Sequence, residues 1–393
     1  MQLTAKQEQG LKIATERFFF REKFTVISGY AGTGKSTLVK HIIEALDIPE
    51  EQVCYACFTG KAAQVLLKKG NKNVLTLHKL LYTSYPLPNG KFRRVPNLSL
   101  EPYRIIVVDE VSMAPMELMK LLLSHKGIYV ICLGDPFQLP PVDKNQDNHL
   151  LDHPHIFLDE IMRQAQESEI IRVSMDIREG KPLQIQNGNE VKILQKQDLN
   201  EGMLTWADQV LCATNATRIS LNNQMRELLG RQGDPQDGDK LICLRNYWDE
   251  LAENEDPLVN GTIGYLANSY PSFNQIPNYL GGYVFDLTCG DFISDSGARF
   301  KDLDLDKKMI LTGEKCCDWK VAYSLSKNMK TAHLIPKEFT YGYAITTHKS
   351  QGSEWDKVLV IEEGFPFAKE EHARWLYTSL TRAASRAVII KKD

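Results

Sequence analysis

No run of apolar residues in the 393-residue chain approaches the ~18 that a membrane-spanning helix needs. The opening Met1-Gln2-Leu3-Thr4 leads into a polar stretch with no apolar h-region, so no signal peptide is expected. There is no repeat at a solenoid period. The eight cysteines are scattered, and Cys54-x-x-Cys57 has no second CxxC to complete a zinc set. Strand alternation would put those two thiols on opposite faces. Several cysteines lie in apolar runs (Val53–Phe58, Ile131-Cys132-Leu133), so they read as reduced core thiols of a cytoplasmic protein rather than as zinc ligands.

One absence is local. Between Glu51 and Glu101 there is no acidic side chain, while Lys61, Lys68, Lys69, Lys72, Lys79, Lys91, Arg93 and Arg94 give residues 52–100 a charge of +8. Residues 101–300 carry 16 basic against 30 acidic side chains, or −14. The whole chain nets only −3, which excludes a protein that coats nucleic acid by bulk positive charge. With 43% hydrophobic and 25% charged residues it is otherwise an ordinary globular composition, long enough for two to four domains at roughly 100–200 residues each.

The first 163 residues alternate short apolar strands (Phe24–Ser28, Val53–Phe58, Arg104–Val108, Ile128–Leu133) with helical stretches such as 36–46. That pattern predicts a parallel sheet covered on both faces. Residues 82–98 interrupt it, and Asn89-Gly90 predicts a β-hairpin because both residues of a type I′ turn need positive φ. A second strand–helix region starts near 203, with a strand over Gln209–Thr214 and a helix over 216–229. Residues 233–335, rich in Gly, Pro, Asn and Asp, predict an inserted domain of short strands. Strand signals return at Tyr343–Thr347, Val358–Glu362 and Ala387–Ile390.

Gly29-Tyr30-Ala31-Gly32-Thr33-Gly34-Lys35-Ser36 matches GxxxxGK[ST] between a strand and a helix. Its backbone N–H groups would close around phosphate oxygens at a helix N-terminus. Lys35 would reach the β/γ-phosphates and Ser36 would ligate Mg²⁺. The strand Ile105–Val108 ends in Asp109-Glu110: Asp109 would hold the metal, and Glu110 would orient or deprotonate an attacking water. A third strand ends in Gly134-Asp135-Pro136-Phe137-Gln138, followed by Leu139-Pro140-Pro141-Val142.

Together these three elements resemble superfamily 1 helicases, and the Gln138-Leu139-Pro140-Pro141-Val142 form is similar to the RecD/Dda branch, phage Dda-like or RecD2-like. The resemblance continues in order from Gln7 to Arg386. Leu3-Thr4-Ala5-Lys6-Gln7 resembles the Q-motif, which implies that Gln7 reads adenine. Thr59-Gly60-Lys61-Ala62-Ala63 and Thr76-Leu77-His78 resemble DNA-contact motifs. Leu158–Gln164 resembles motif IV, with Arg163 as a γ-phosphate ligand. Residues 346–354 resemble motif V, implying DNA contacts at Thr346, Thr347, His348 and Lys349 and nucleotide contacts at Gly352 and Glu354. Leu376–Ala383 resembles motif VI, with Arg382 as arginine finger. Gln138 would sense the γ-phosphate. The nucleotide-binding set is therefore Gln7, Gly29, Ala31, Gly32, Thr33, Gly34, Lys35, Ser36, Thr37, Gly352 and Glu354. One departure stands out: Cys57-Phe58 precedes Thr59 where relatives carry Ala-Pro, and Phe58 would be either buried or a stacking surface for a base.

What the resemblance implies is an α/β fold of two RecA-like P-loop domains. The first would span 1–163 with a hairpin insertion at about 80–101, and the second 164–232 and 336–393, interrupted by an SH3-like insertion at 233–335. It also implies an ATP- and Mg²⁺-dependent DNA helicase moving 5′→3′ on single-stranded DNA. Phe92, Arg93 and Tyr85 would lie on a duplex-splitting pin, and Lys68, Lys69 and Lys72 would be either DNA contacts or a solvated helix face. The compact length fits a stand-alone monomer in a bacterial or phage-infected cytoplasm, acting at single-strand/duplex junctions beside a single-strand-binding or replisome protein. Two rivals are a RecD-like motor subunit of a nuclease complex and an ATP-gated single-strand clamp that does not unwind.

Overall fold

The computed structural model describes residues 3–86, 92–140, 148–162, 166–253, 257–276, 278, 282–327, 331–366 and 368–392. The hairpin tip around Asn89-Gly90, the segment 141–147 and Arg163 fall outside the described residues, as do the side chains of Lys68, Phe92 and Arg93. The chain divides into two units, one of residues 1–83, 94–214 and 346–393, the other of 84–93 and 215–345.

The first unit holds two sheets. In one, the strands run in the order Val74–Thr76, Val53–Cys57, Ile105–Val108, Tyr129–Gly134, Phe24–Gly29, Ile156–Leu158, all parallel. Every residue of Ile105–Val108 is buried, as expected of a central parallel strand packed on both faces. Alternation sends Ile27, Ile105, Val107 and Ile131 into one cluster with Leu38 and Ile42, and Val26, Ile106, Val108 and Val130 into another with Leu77 and Leu118. Cys54 lies in the second cluster while Cys57 packs with Ala62 and Leu66 on the other face. Burial pushes the Cys54 thiol up to about 12 and raises Cys57 further, so neither is a ready nucleophile.

In the other sheet, Gln209–Cys212, Trp355–Ile361, Ala383–Lys391 and Val191–Gln195 are parallel neighbours in that order, with Gln186–Asn187 antiparallel at the edge. The helix Lys369–Leu380 buries Trp375 and Tyr377 completely.

The second unit is built on an antiparallel sheet in the order Arg299–Asp306, Val284–Ser294, Ile263–Gln275, Lys240–Cys243, Phe339–Tyr341. Phe292 centres its core, 4.9 Å from Phe339 and 6.1 Å from Phe300. Two of its strands are 13 and 11 residues long, not the short strands expected. A bulge between Ala267 and Tyr270 carries the longer strand through the polar Asn268-Ser269. There Asn268 takes φ 52°, and the Asp237 carboxylate accepts the N–H groups of Asn268 and Ser269 at 3.1 and 2.7 Å. Tyr82–Pro86 and Phe92–Pro96 pair as a separate two-stranded sheet, so the interruption at 82–98 is a strand pair. No helix among the described residues is long and apolar enough to cross a membrane.

Candidate active site

The strand Phe24–Gly29 ends where the helix Lys35–Ala45 begins, and residues 29–34 turn between them. Gly32 and Gly34 take φ 76° and 78°, a region costly for any side chain. A Cβ on Gly34 would also collide with the Met162 sulfur and the Gln7 amide. Gly34 is the helix N-cap and no side chain caps it, which leaves the first N–H groups turned to the loop. Lys35 Nζ donates to the Gly29 and Tyr30 carbonyls at 2.6 and 3.1 Å, folded over the loop it springs from. Ser36 is exposed and Thr37 partly so.

Two further segments brace the loop. Gln7, 1% exposed, closes a capping box with Thr4 and donates from Nε2 to the Thr33 carbonyl at 3.1 Å. Met162 donates its N–H to the Gly32 carbonyl at 3.0 Å.

The strand Ile105–Val108 delivers Asp109 and Glu110. The Asp109 N–H donates to Ala56 at 2.9 Å, and its carboxylate accepts the Glu110 N–H at 3.0 Å. Burial, with repulsion from Glu110, raises the Asp109 carboxyl to about 6 against the pull of Lys35. Glu110 itself sits at φ 51°, a left-handed conformation that a non-glycine residue adopts at a cost.

The strand Tyr129–Gly134 delivers Asp135 and Gln138. Asp135 is 4% exposed, and burial raises its carboxyl above the usual range. The Gln138 amide, oriented to satisfy its neighbours, donates to Glu110 Oε2 and accepts from Arg382 Nη2, each at 3.0 Å. Arg382 Nη1 lies 3.9 Å from Glu110 Oε1 and donates to the Ser353 carbonyl at 3.2 Å, while Nε donates to the Thr378 carbonyl at 3.2 Å. Glu110, Gln138 and Arg382 therefore form one chain of charge-assisted hydrogen bonds beside the loop.

The remaining candidates fall elsewhere. Gly352, at φ 70°, faces Thr59, Ala62 and Met113, and Glu354 pairs with Lys69 at 2.9 Å. Thr59 caps the helix Gly60–Lys68 by accepting the Ala62 N–H at 3.2 Å, and Gly60 faces open space. Lys61 Nζ sits 4.4 Å over the Trp355 ring. His78 lies between Phe58, at 5.8 Å, and Tyr82, at 6.3 Å. Burial, helped by Arg94, lowers the imidazole to about 4, so it is neutral near pH 7. Phe58 packs on the core cluster while part of it remains accessible.

Thr346 and Lys349 are partly exposed, and burial lowers the His348 imidazole. Thr347 departs from its expected place on a strand-contact surface. Its side chain is fully buried, the hydroxyl spent on Ser379 at 2.8 Å and the Cys212 carbonyl at 3.4 Å. Nor is the +8 segment a bare cationic strip, since Lys69 pairs with Glu354 and Lys72 with Glu50 at 2.8 Å. Sequence reasoning also passed over Tyr377, whose hydroxyl reaches the loop, and Arg178, which stacks 3.6 Å over Tyr30. Both lie far along the chain from the loop, and only a hydroxyl in a buried apolar helix face hinted at the first.

The AAA domain profile matches residues 2–199, and that of the UvrD-like helicase C-terminal domain matches 341–390. The ATP-dependent RecD2 DNA helicase of Deinococcus radiodurans is 29% identical over 386 residues, covering 93% of this chain and 46% of that protein. The ATP-dependent DNA helicase dda of Enterobacteria phage T4 is 30% identical over 190 residues, covering 46% of this chain and 43% of that protein. This chain thus spans less than half the length of these curated relatives. Among solved structures, Pif1 helicase from Bacteroides in complex with ADP-AlF3 and ssDNA superposes with a TM-score of 0.50 at 18% identity, over 99% of this chain and 92% of that one. That likeness is one of fold.

Proposed function

We propose that this chain, which belongs to the AAA domain family, is a RecD/Dda-like superfamily 1 helicase, an ATP-dependent DNA helicase that moves 5′→3′ along single-stranded DNA and separates duplex ahead of it, a reading supported by its similarity to RecD2 and dda. The observation that carries this is the Glu110–Gln138–Arg382 chain beside an uncapped, glycine-turned helix N-terminus.

The N–H groups from Gly32 to Thr37 hold the ATP phosphates, while the Ala31 N–H is taken by the Tyr377 hydroxyl at the edge of that cradle. Lys35 leaves the Gly29 and Tyr30 carbonyls for the β/γ-phosphates, and Gln7 reads adenine from its place against Thr33. The Ser36 hydroxyl and Asp109 carboxylate are hard oxygen donors that suit Mg²⁺. The Asp109 carboxyl, raised by burial with Glu110 beside it, supports a cation there, because its charge is held only at a cost. When bound, Mg²⁺ would neutralise charge on the β/γ-phosphate oxygens. Glu110 orients or deprotonates the water, Gln138 senses the γ-phosphate between Glu110 and Arg382, and Arg382 with Arg163 stabilises the transition-state charge. Arg382 comes from the sheet that does not carry the loop, so ATP binding would draw the two sheets together and hydrolysis would release them.

In this reading 1–163 and 164–232 with 336–393 are the two RecA-like domains, 233–335 is the SH3-like insertion, and the strand pair at 82–96 is the pin. Thr59, Gly60, Lys61, His78, Phe92, Arg93, Thr346, His348 and Lys349 line the single strand, with Thr347 supporting them from inside. The test is strand displacement on forks carrying only a 5′ or only a 3′ loading tail, with Lys35→Ala as control. ATP-dependent displacement confined to the 5′-tailed fork and lost in the variant is the expected result.

A further inference from the structure

Tyr377 is 1% exposed on the helix Lys369–Leu380, with its ring edge-on to Phe137 at 5.2 Å. A hydroxyl that deep is costly unless bonded, and this one is bonded twice. It accepts the Ala31 N–H at 2.8 Å and donates to Asp135 Oδ2 at 2.5 Å. The other Asp135 oxygen accepts the Phe137 N–H at 2.9 Å, and the Asp135 carbonyl accepts the Gln138 N–H at 3.3 Å, so Asp135 sets the turn that presents Gln138. One residue on, Thr378 Oγ1 accepts the Leu139 N–H at 2.9 Å, and its carbonyl holds Arg382 Nε. A single hydroxyl thus joins the loop at Ala31, the turn bearing Gln138 and the helix whose end bears Arg382. The bonds of Tyr377 to Ala31 and Asp135 and of Thr378 to Leu139 join residues 346, 242 and 239 positions apart.

We propose that the Tyr377 hydroxyl is a positioning group for ATP hydrolysis, holding the Ala31 side of the phosphate loop in register with the Gln138 turn and the Arg382 arm. This rests on the ATP-hydrolysis reading above. The hydroxyl reaches the loop beside, not among, the N–H groups of Gly32 to Lys35, so its loss leaves the main phosphate cradle whole. What changes is where Gln138 and Arg382 stand relative to it, and misplacing a reacting group by about 1 Å is enough to slow a reaction roughly 100-fold. The effect therefore falls on turnover rather than on nucleotide binding.

The test uses the full chain carrying Tyr377→Phe, which keeps the ring and its packing on Phe137. Single-strand-stimulated ATP turnover, KM for ATP and thermal melting are measured beside wild type and Lys35→Ala. A tenfold or larger fall in kcat, with KM within about twofold, is expected. Asp135→Asn weakens the same relay from its other end and should give the same split, and the two changes combined should cost little more than either alone. Turnover in Tyr377→Phe within twofold of wild type, or a loss carried by KM, overturns the positioning role. If Tyr377→Phe does not fold, Asp135→Asn decides by the same criterion. A wild type that turns over no ATP defeats the hydrolysis reading instead, and the Lys35→Ala control tells the two failures apart.

Discussion

Arg382 Nη1 lies 3.9 Å from Glu110 Oε1, and the Gln138 amide spans the same gap, donating to one and accepting from the other at 3.0 Å. The two charges stand at the ends of strands in different sheets, 272 positions apart in sequence. A buried arginine whose guanidinium is otherwise spent on the Ser353 and Thr378 carbonyls is fixed in direction before any ligand arrives.

Arg382→Ala should lower single-strand-stimulated kcat for ATP roughly 100-fold or more, the usual cost of removing a preorganised charge from a transition state. Binding of a fluorescent ATP analogue should change less than about threefold. An unchanged kcat would mean that the guanidinium serves structure alone.

Asp109→Asn should stabilise the nucleotide-free chain while abolishing turnover. The folded carboxyl titrates near 6 against an ordinary value of 3.8, so the folded state holds an extra proton between those values. Stability therefore falls as pH rises through that window, and at pH 7 the Asp109 charge is a net cost to the fold. A melting temperature several degrees higher at pH 7, with the gain shrinking towards pH 4, is the expected record. A lower melting temperature at pH 7 would contradict it.

In the second unit, Arg226 and Asp239 form a buried ion pair at 3.2 Å, and Tyr343 donates to the same carboxylate at 2.9 Å. Asp239→Asn should destabilise by roughly 3–5 kcal/mol, because it leaves a buried guanidinium without its counter-charge. Chemical denaturation of the full chain beside wild type measures it. A change below about 1 kcal/mol would show that the pair is dispensable.

Phe58→Leu should leave single-strand affinity within twofold, since the ring packs on the core cluster beside His78. A loss of about 1 kcal/mol or more in titrations at fixed salt would assign it to base stacking instead.

Deleting residues 86–93 should abolish strand separation and spare single-strand-stimulated ATP turnover. Unwinding that survives the deletion would remove the pin role from the strand pair.

The phosphate loop was legible because its determinants are local. Glycine spacing, one lysine and a flanking strand and helix suffice, and the loop takes the two positive-φ glycines that pattern requires. That the first sheet is parallel and covered on both faces was legible for a similar reason, from four short apolar runs separated by helical stretches; the order of its strands was not. The partner of each charge was not legible. Lys69 and Lys72 look like a cationic strip until folding brings Glu354 and Glu50 to them. Tyr377 reads as one more apolar helix position, because its two partners lie 346 and 242 residues away. The short strands expected over 233–335 include one of 13 residues, which passes Asn268-Ser269 on a bulge that Asp237, some thirty residues earlier, holds.

The most direct test of the central claim is single-strand-stimulated ATP turnover by Glu110→Gln, paired with its affinity for a fluorescent ATP analogue. The substitution keeps the shape of the side chain and its contact with Gln138 but removes the charge that faces Arg382 and the water. A kcat lowered about 100-fold or more with affinity within threefold is the predicted result. Turnover at the wild-type rate would contradict the assignment of Glu110, Gln138 and Arg382 as the hydrolysis centre.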